Sequence, residues 1–231
     1  MPDVIYAIGD IHGEADRLAR LHGYIYEQHA VEHGDTPLTL VHLGDYVDRG
    51  PDSYKVIEYL ATLKTPPNAK VINLKGNHEE MMLDAILHNR HSEMWLSNGG
   101  DKAMESYRAA GHQQVPQAHI DWLEALPSLY RDEAARLIFV HAGIDVRIWP
   151  EVRDEVHLWS RSPRFFKTEC WDNPALDGWR IVHGHTPTDD FYPEVAGDPP
   201  RRINLDTGAC FGGRLTAAKF APGKEVSFFY S

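Results

Sequence analysis

Five apolar runs, at Val4–Ile8, 38–43, 71–74, 137–140 and 181–182, each give way to a short polar motif. Unbroken apolar runs, unlike alternating ones, read as strands buried on both faces, the pattern of a parallel or mixed sheet. Between the first runs the period lengthens to that of a helix. Leu18, Leu21 and Ile25 keep one face, then Val56, Leu60 and Leu63, then Met81, Met82, Ala85 and Ile86. A βαβαβ start of this kind predicts a parallel sheet with right-handed crossovers. Residues 90–130 break the rhythm: a turn signal at Asn98-Gly99-Gly100, a helical stretch over 101–110, and a short helix marked by Ile120, Leu123 and Leu126 before Pro127. We read this region as a helical insert beside the site. From Leu137 onward the pattern is mostly β, with strands expected near 137–141, 179–184, 202–206, 214–220 and 225–230. The Pro-, Asp- and aromatic-rich stretches 163–178 and 187–200 read as loops. No repeat, low-complexity tract or linker interrupts the chain, so an α/β protein folding as a single domain over 1–231 is expected.

The polar motifs carry the chemistry. They are Gly9-Asp10-Ile11-His12-Gly13, Gly44-Asp45-Tyr46-Val47-Asp48-Arg49-Gly50, Gly76-Asn77-His78-Glu79, His141-Ala142-Gly143 and His183-Gly184-His185-Thr186. Ligands of open α/β sheets bind beyond the carboxyl ends of the strands, so motifs far apart in sequence are expected to meet at one rim. Asp10 and His12 stand two apart in a glycine-bounded turn and can reach one ion. Asp45 has two carboxylate oxygens and can bridge two. Asn77, His141 and His185 add neutral donors. An Asp/His/Asn set without thiolate favours Mn²⁺, Fe²⁺ or Zn²⁺. Two such ions about 3.5–4 Å apart clamp the attacking and leaving oxygens of a displacement at phosphorus and acidify a bridging water. His78 is the candidate general acid, Asp48 its orienting carboxylate, and Arg49 a bidentate phosphate ligand. Any one motif has an ordinary explanation: Asp-X-His is a common polar turn, and Gly-Asn-His-Glu also reads as a helix start capped by Asn77. Their joint occurrence, in order and each after a strand, sets the structural explanation aside.

Composition narrows the setting. The net charge of −11 is the reverse of what a nonspecific nucleic-acid binder presents, so no stable nucleic-acid partner is expected, and local cations must hold any anionic substrate. No apolar stretch approaches membrane-spanning length, and no signal core precedes the first strand. A cytoplasmic protein without membrane partners is therefore expected. Two cysteines, Cys170 and Cys210, are expected to be free thiols.

The motif set resembles that of the calcineurin-like metallophosphoesterases, in particular the phosphoprotein phosphatase branch with its small bacterial and lambda-phage serine/threonine phosphatases. The resemblance runs over 7–215 and implies a β-sandwich of mixed sheets flanked by helices. It implies one metal on Asp10, His12 and Asp45, and a second on Asp45, Asn77, His141 and His185, with Mn²⁺ the first candidate. It further implies that His78 and Asp48 form the proton-donor pair, that Arg49 and Arg161 bind phosphate, that Glu79 supports the ligands, and that Asp206 orients a ligand histidine. Thr186-Pro187 stands where many relatives outside this branch carry a further histidine. His183 is expected to back the ligands without touching metal, and Cys210 to be a small packed residue. Tyr46 either lines the substrate mouth or fills its own loop.

The resemblance ranks a metal-dependent serine/threonine protein phosphatase first, acting through a metal-bridging hydroxide. The alternative is a symmetrical bis(5'-nucleosyl)-tetraphosphatase cutting diadenosine tetraphosphate to two ADP. The partner is accordingly a phosphoprotein or a phosphorylated small molecule or nucleotide. A dinucleotide needs a base-stacking slot, for which Trp95, Tyr107 and Arg108 are candidates unless they are core. Arg90, Lys102, Arg108 and Arg131 read as solvated charge. A binding module without catalysis is disfavoured, because every proposed ligand is intact.

Overall fold

A computed structural model describes residues 3–231 as two five-stranded sheets packed face to face with helices outside. The first half supplies β1 (Val4–Ile8), α1 (Ala15–His33), β2 (Leu38–His42), α2 (Ser53–Ala61), β3 (Ala69–Asn73) and α3 (Asn77–His88). β1, β2 and β3 pair in parallel, as the βαβαβ pattern predicts. The insert follows: α4 (Ser92–Trp95), a π-type turn (Leu96–Gly100), α5 (Asp101–Ala109) and α6 (Gln117–Glu124). The remainder is β4 (Leu129–Asp132), β5 (Leu137–Val140), α7 (Asp154–Trp159), α8 (Pro163–Phe166), β6 (Arg180–His183), β7 (Glu194–Ala196), β8 (Arg202–Asn204), β9 (Thr216–Phe220) and β10 (Ser227–Tyr230). One sheet runs β10-β9-β1-β2-β3 and the other β4-β5-β6-β8-β7.

The runs in β1, β2 and β5 are buried on both faces because their sheets have neighbours on both sides, whereas β3, at a sheet edge, is only partly buried. In β1, Val4, Tyr6 and Ile8 face the helical layer of α1 and α2, whereas Ile5 and Ala7 face the second sheet. Leu40 and Val41 of β2 divide in the same way. The seam between the sheets is filled by Leu43, Leu74, Phe139, Val182, Ile203, Leu205 and Phe220 among others. Beyond the second sheet, α8 and the loops close a third cluster around Val140, Trp149, Phe165 and Trp171. No helix among the described residues is long and apolar enough to cross a membrane.

The departures from the sequence expectation are all short elements. The loop-like stretches 163–178 and 187–200 contain α8 and two 3₁₀ turns, and the edge strand β7, respectively. β4 also has no apolar run to announce it, being a partly exposed Leu-Tyr-Arg-Asp segment at the sheet edge. Three or four residues cannot establish a period, and β4 and β7 are defined by pairing to β5 and β8, which the local pattern does not encode.

Phe139 lies in the seam with Tyr130 stacked on it at 5.9 Å and Phe220 edge-on at 6.2 Å. Phe139→Ala is expected to cost about 3–5 kcal/mol in denaturant unfolding. A loss below about 1 kcal/mol would mean that the two sheets do not close on this ring.

Candidate metal centre and active site

The carboxyl ends of five strands converge on one rim. Asp10 and His12 follow β1; Asp45, Asp48 and Arg49 follow β2; Asn77 and His78 follow β3; His141 follows β5; His185 follows β6. Each motif must turn sharply to aim its side chain back over the sheet. Among the described residues, nine non-glycine residues have positive φ, and five are here: His12, Asp45, Asp48, Arg49 and His185. Backbone in that region is uncommon for such residues and persists where the surroundings over-determine it.

Two clusters share Asp45. One joins His12, Asp45 and His78; the other joins Asp45, His141 and His185. Asp45 Oδ2 lies 3.4 Å from His12 Nε2, and Oδ1 lies 3.4 Å from His141 Nε2, so the two oxygens serve different clusters. Asn77 Oδ1 stands 2.9 Å from His141 Nε2 and 2.8 Å from His185 Nδ1. Asn77 does not cap α3: Gly76 holds that position, which leaves the Asn77 amide to the centre. Asp10 sits in the same pocket but outside both three-residue clusters. Its carboxylate accepts the His185 backbone N–H at 3.1–3.2 Å and fills the space that a side chain at residue 184 would need, which is why glycine stands there.

Local bonds orient the imidazoles. His12 Nδ1 donates to the Val47 carbonyl at 2.8 Å and His141 Nδ1 to that of Leu43 at 2.9 Å, turning each Nε2 lone pair inward. Burial keeps these rings neutral. It pushes His141 down to about 3 and His185 to about 2, and holds His12 well below its ordinary value. The carboxylates move the other way. Burial first, then the neighbouring Asp206 and Asp45 charges, raise Asp10; burial raises Asp45 to about 7 against the opposing pull of the His78 N–H. Neutral imidazoles facing crowded buried carboxylates are the donor chemistry that divalent cations fit.

His78 Nδ1 is 2.7 Å from Asp48 Oδ2, and the Trp95 indole N–H donates to both Asp48 oxygens at 3.0 and 3.1 Å. Arg49 and Arg161 flank the centre, with Arg49 Nη1 2.6 Å from His12 Nε2 and Arg161 Nε 3.2 Å from His185 Nε2. All ten residues singled out for the site therefore lie at this rim.

Several supporting roles differ from expectation or were not foreseen. Trp95 and Tyr107 are core, the former bound to Asp48 and the latter to His119 Nδ1 at 2.9 Å, so they form no base slot. Gly99 lets the insert close on the Arg49 backbone, whose N–H bonds the Gly99 carbonyl at 3.3 Å. Asp206 lies beside Asp10 and orients no ligand histidine; Gly9 packs against the Leu205 carbonyl, which brings the end of β8 onto the first motif. His183 has both nitrogens engaged away from the centre, donating to the Gly184 carbonyl and accepting from the buried Arg202. An arginine buried on a strand leaves no local signal, since arginine is ordinarily solvated. Tyr46 fills its own loop, its hydroxyl on the Leu74 carbonyl. Arg90, Lys102 and Arg131 are paired with Asp84, Glu105 and Glu133. Both cysteines are free, and burial pushes the Cys210 thiol up to about 12, favouring its protonated form.

The chain is similar to several known proteins over nearly its whole length. Asymmetrical bis(5'-nucleosyl)-tetraphosphatase PrpE of Geobacillus thermodenitrificans (strain NG80-2) is 28% identical, with 95% of this chain and 91% of that protein covered. A solved structure of a candidate diadenosine tetraphosphatase superposes with a TM-score of 0.64 at 24% identity, covering 99% of this chain and 94% of the other. A serine/threonine phosphatase from Saccharomyces cerevisiae with similarity to human phosphatase PP5 gives 0.62 at 15% identity, with 99% and 80% covered. At these identities the two structures share the fold. The calcineurin-like phosphoesterase family matches residues 4–213, a span that takes in every motif at the rim, and the chain belongs to that family as a hydrolase of phosphoesters.

Proposed function

We propose that this protein is a binuclear-metal hydrolase of dinucleoside tetraphosphates, cleaving them asymmetrically to a nucleoside monophosphate and a nucleoside triphosphate. The observation that carries the metal-dependent chemistry is the division of Asp45, one oxygen toward His12 and the other toward His141. The substrate class is supported by likeness to PrpE along nearly the whole of both chains. This reading ranks above the protein phosphatase that the motifs alone favour, because the phosphatase likeness at 15% identity speaks for the fold. It also replaces symmetrical by asymmetrical products.

Asp10, His12 and Asp45 are assigned to one ion, and Asp45, Asn77, His141 and His185 to the other. Bound there, two divalent cations neutralise phosphate oxygens and acidify a water. Arg49 and Arg161 hold the non-bridging oxygens from either side, a task suited to planar guanidinium groups. The water, having given up a proton to solvent, bonds through its oxygen to phosphorus, the bond from phosphorus to the leaving oxygen breaks, and that oxygen keeps the electron pair. His78 Nε2 supplies its proton, and Asp48, held by Trp95, orients the imidazole through Nδ1 and shares that pair's proton. Protein phosphates, with an alkoxide leaving group, need that proton more than anhydrides do.

With Mn²⁺ supplied, diadenosine tetraphosphate is expected to give ATP and AMP at a rate far above phosphate release from a phosphoserine peptide, as read by chromatography of the products. Peptide turnover exceeding the dinucleotide rate would reverse the assignment. Asp45→Asn is expected to lower bound metal from about two ions per chain to one or none, with activity lost in step, as measured by elemental analysis. Two retained ions with full activity would remove Asp45 from the bridge. His78→Asn should keep its metal yet lose roughly a hundredfold or more on alkyl phosphates and markedly less on para-nitrophenyl phosphate. Equal losses on the two would rule out proton donation.

A further inference from the structure

Phe211 is out of place for an apolar ring. It is 54% exposed and stands beside the centre, with the Arg49 guanidinium carbon 5.3 Å from its ring centroid. Isolated exposed apolar side chains are ordinary on a protein surface and often reflect mobile loops. This loop is held firmly. The 3₁₀ turn Ala209–Phe211 is bracketed by Gly208 and Gly212, both in left-handed conformation. Arg17 clamps it from below, donating to the Ala209 carbonyl at 2.9 Å and the Gly213 carbonyl at 2.7 Å. Thr207 Oγ1 ties it to the Arg214 carbonyl at 2.7 Å, and the Gly213 N–H closes it on Gly208. Within it Cys210 is half-buried while Phe211 remains in solvent. A rigid loop that presents a ring instead of burying it is built as a contact surface.

Position identifies what that surface takes. Arg49 lies between the ring and the metal cluster, touching His12 on one side and Phe211 on the other. A phosphate held by Arg49 therefore places the group attached to it next to the ring. Flat π-systems stack on such rings, and nucleobases do so whatever their identity. Trp95 and Tyr107, the aromatics first suggested for this task, are buried and unavailable.

We propose that Phe211 is the stacking platform for the base of the nucleoside whose own phosphate is attacked. The inference rests on the dinucleotide reading and deepens it. A base next to Arg49 puts the α-phosphorus in the attacked position, so the outer anhydride breaks: water oxygen joins the α-phosphorus, and the bridging oxygen departs with the triphosphate, taking its proton from His78. Asymmetrical products follow from how near the ring stands to the phosphate clamp.

The test compares AMP with ribose 5-phosphate, which differ only in the base, by calorimetric binding to the metal-loaded enzyme. AMP should bind about tenfold more tightly, Phe211→Ala should erase most of that ratio, and Phe211→Trp should restore it. The same ratio in wild type and Phe211→Ala would overturn the proposal. Hydrolysis of diadenosine tetraphosphate in heavy-oxygen water supplies the second readout: label in AMP supports attack at the α-phosphorus, and label in ATP overturns it. Failure of the substrate reading looks different. There the Phe211-dependent ratio persists while diadenosine tetraphosphate is not cleaved, which upholds the platform as a mononucleotide site and rejects the dinucleotide.

Discussion

Four backbone N–H groups converge on one buried carboxylate, and the active rim depends on that convergence. Glu79, in the first turn of α3, accepts from Gly76 at 2.8 Å, Asp45 at 2.8 Å, Tyr46 at 2.7 Å and Val47 at 3.3 Å. It fastens the turn after β2 to the helix that follows β3. The reverse bond completes the join, the His78 N–H donating to Asp45 Oδ1 at 3.1 Å. The amino end of α3 therefore stabilises Asp45 both through its partial positive charge and through a directed donor. Without this joint, the two oxygens of Asp45 would have no fixed heading, and the left-handed backbone at Asp45, Asp48 and Arg49 would relax toward commoner conformations. Desolvating so many carboxylates in one place is unfavourable, and the donors converging on Glu79 and Asp45 offset part of that cost.

The same logic explains how the insert serves the site. Its place beside the rim invites a reading as a cap over substrate, yet its chemistry points inward. Trp95 donates to both oxygens of Asp48, and Gly99 packs against the backbone of Arg49. Ser106 Oγ receives the Tyr54 N–H at the start of α2, and the Tyr107 hydroxyl meets His119, which in turn reaches Glu58 at 2.9 Å. The helices of 92–124 thus form a wall against which the second motif is pressed, fixing Asp48 and with it the His78 ring.

Much of this could be read from the sequence, and what could be read has a common cause. Motifs at the ends of strands are local: Asp45, Asp48 and Arg49 lie within five residues of one another, and an apolar run announces each turn. The parallel order of β1, β2 and β3 follows from the same locality. What stayed hidden is what depends on distant partners. Arg202 looks like a surface cation until His183 and Glu194 are seen to enclose it. Asp206 was placed near a histidine, whereas Gly9 packing on the Leu205 carbonyl sets it beside Asp10. Trp95 was legible as an aromatic and illegible as a hydrogen-bond donor, because nothing in its neighbourhood along the chain names Asp48 as acceptor. β4 and β7 exist only through pairing with β5 and β8.

This division between local and distant information also separates chemistry from specificity. The groups assigned to bond breaking are fixed by interlocking turns, where a single displaced side chain would disturb both clusters through Asp45. Those groups alone do not account for substrate choice, since displacement at phosphorus makes the same demands on them whatever the phosphate is attached to. Choice also needs groups that touch the substrate without touching the ligands. With the insert committed to holding Asp48 and Arg49, the loop after β8 is an element that reaches Arg49 and still presents an exposed apolar ring. Arg49 joins the two layers: its backbone is held by the insert at Gly99, and its guanidinium lies between the His12 imidazole and the Phe211 ring. On the proposed reading, changing the ring would alter what is held beside the phosphate while leaving the interlocked turns in place, a separation of substrate contact from scaffold.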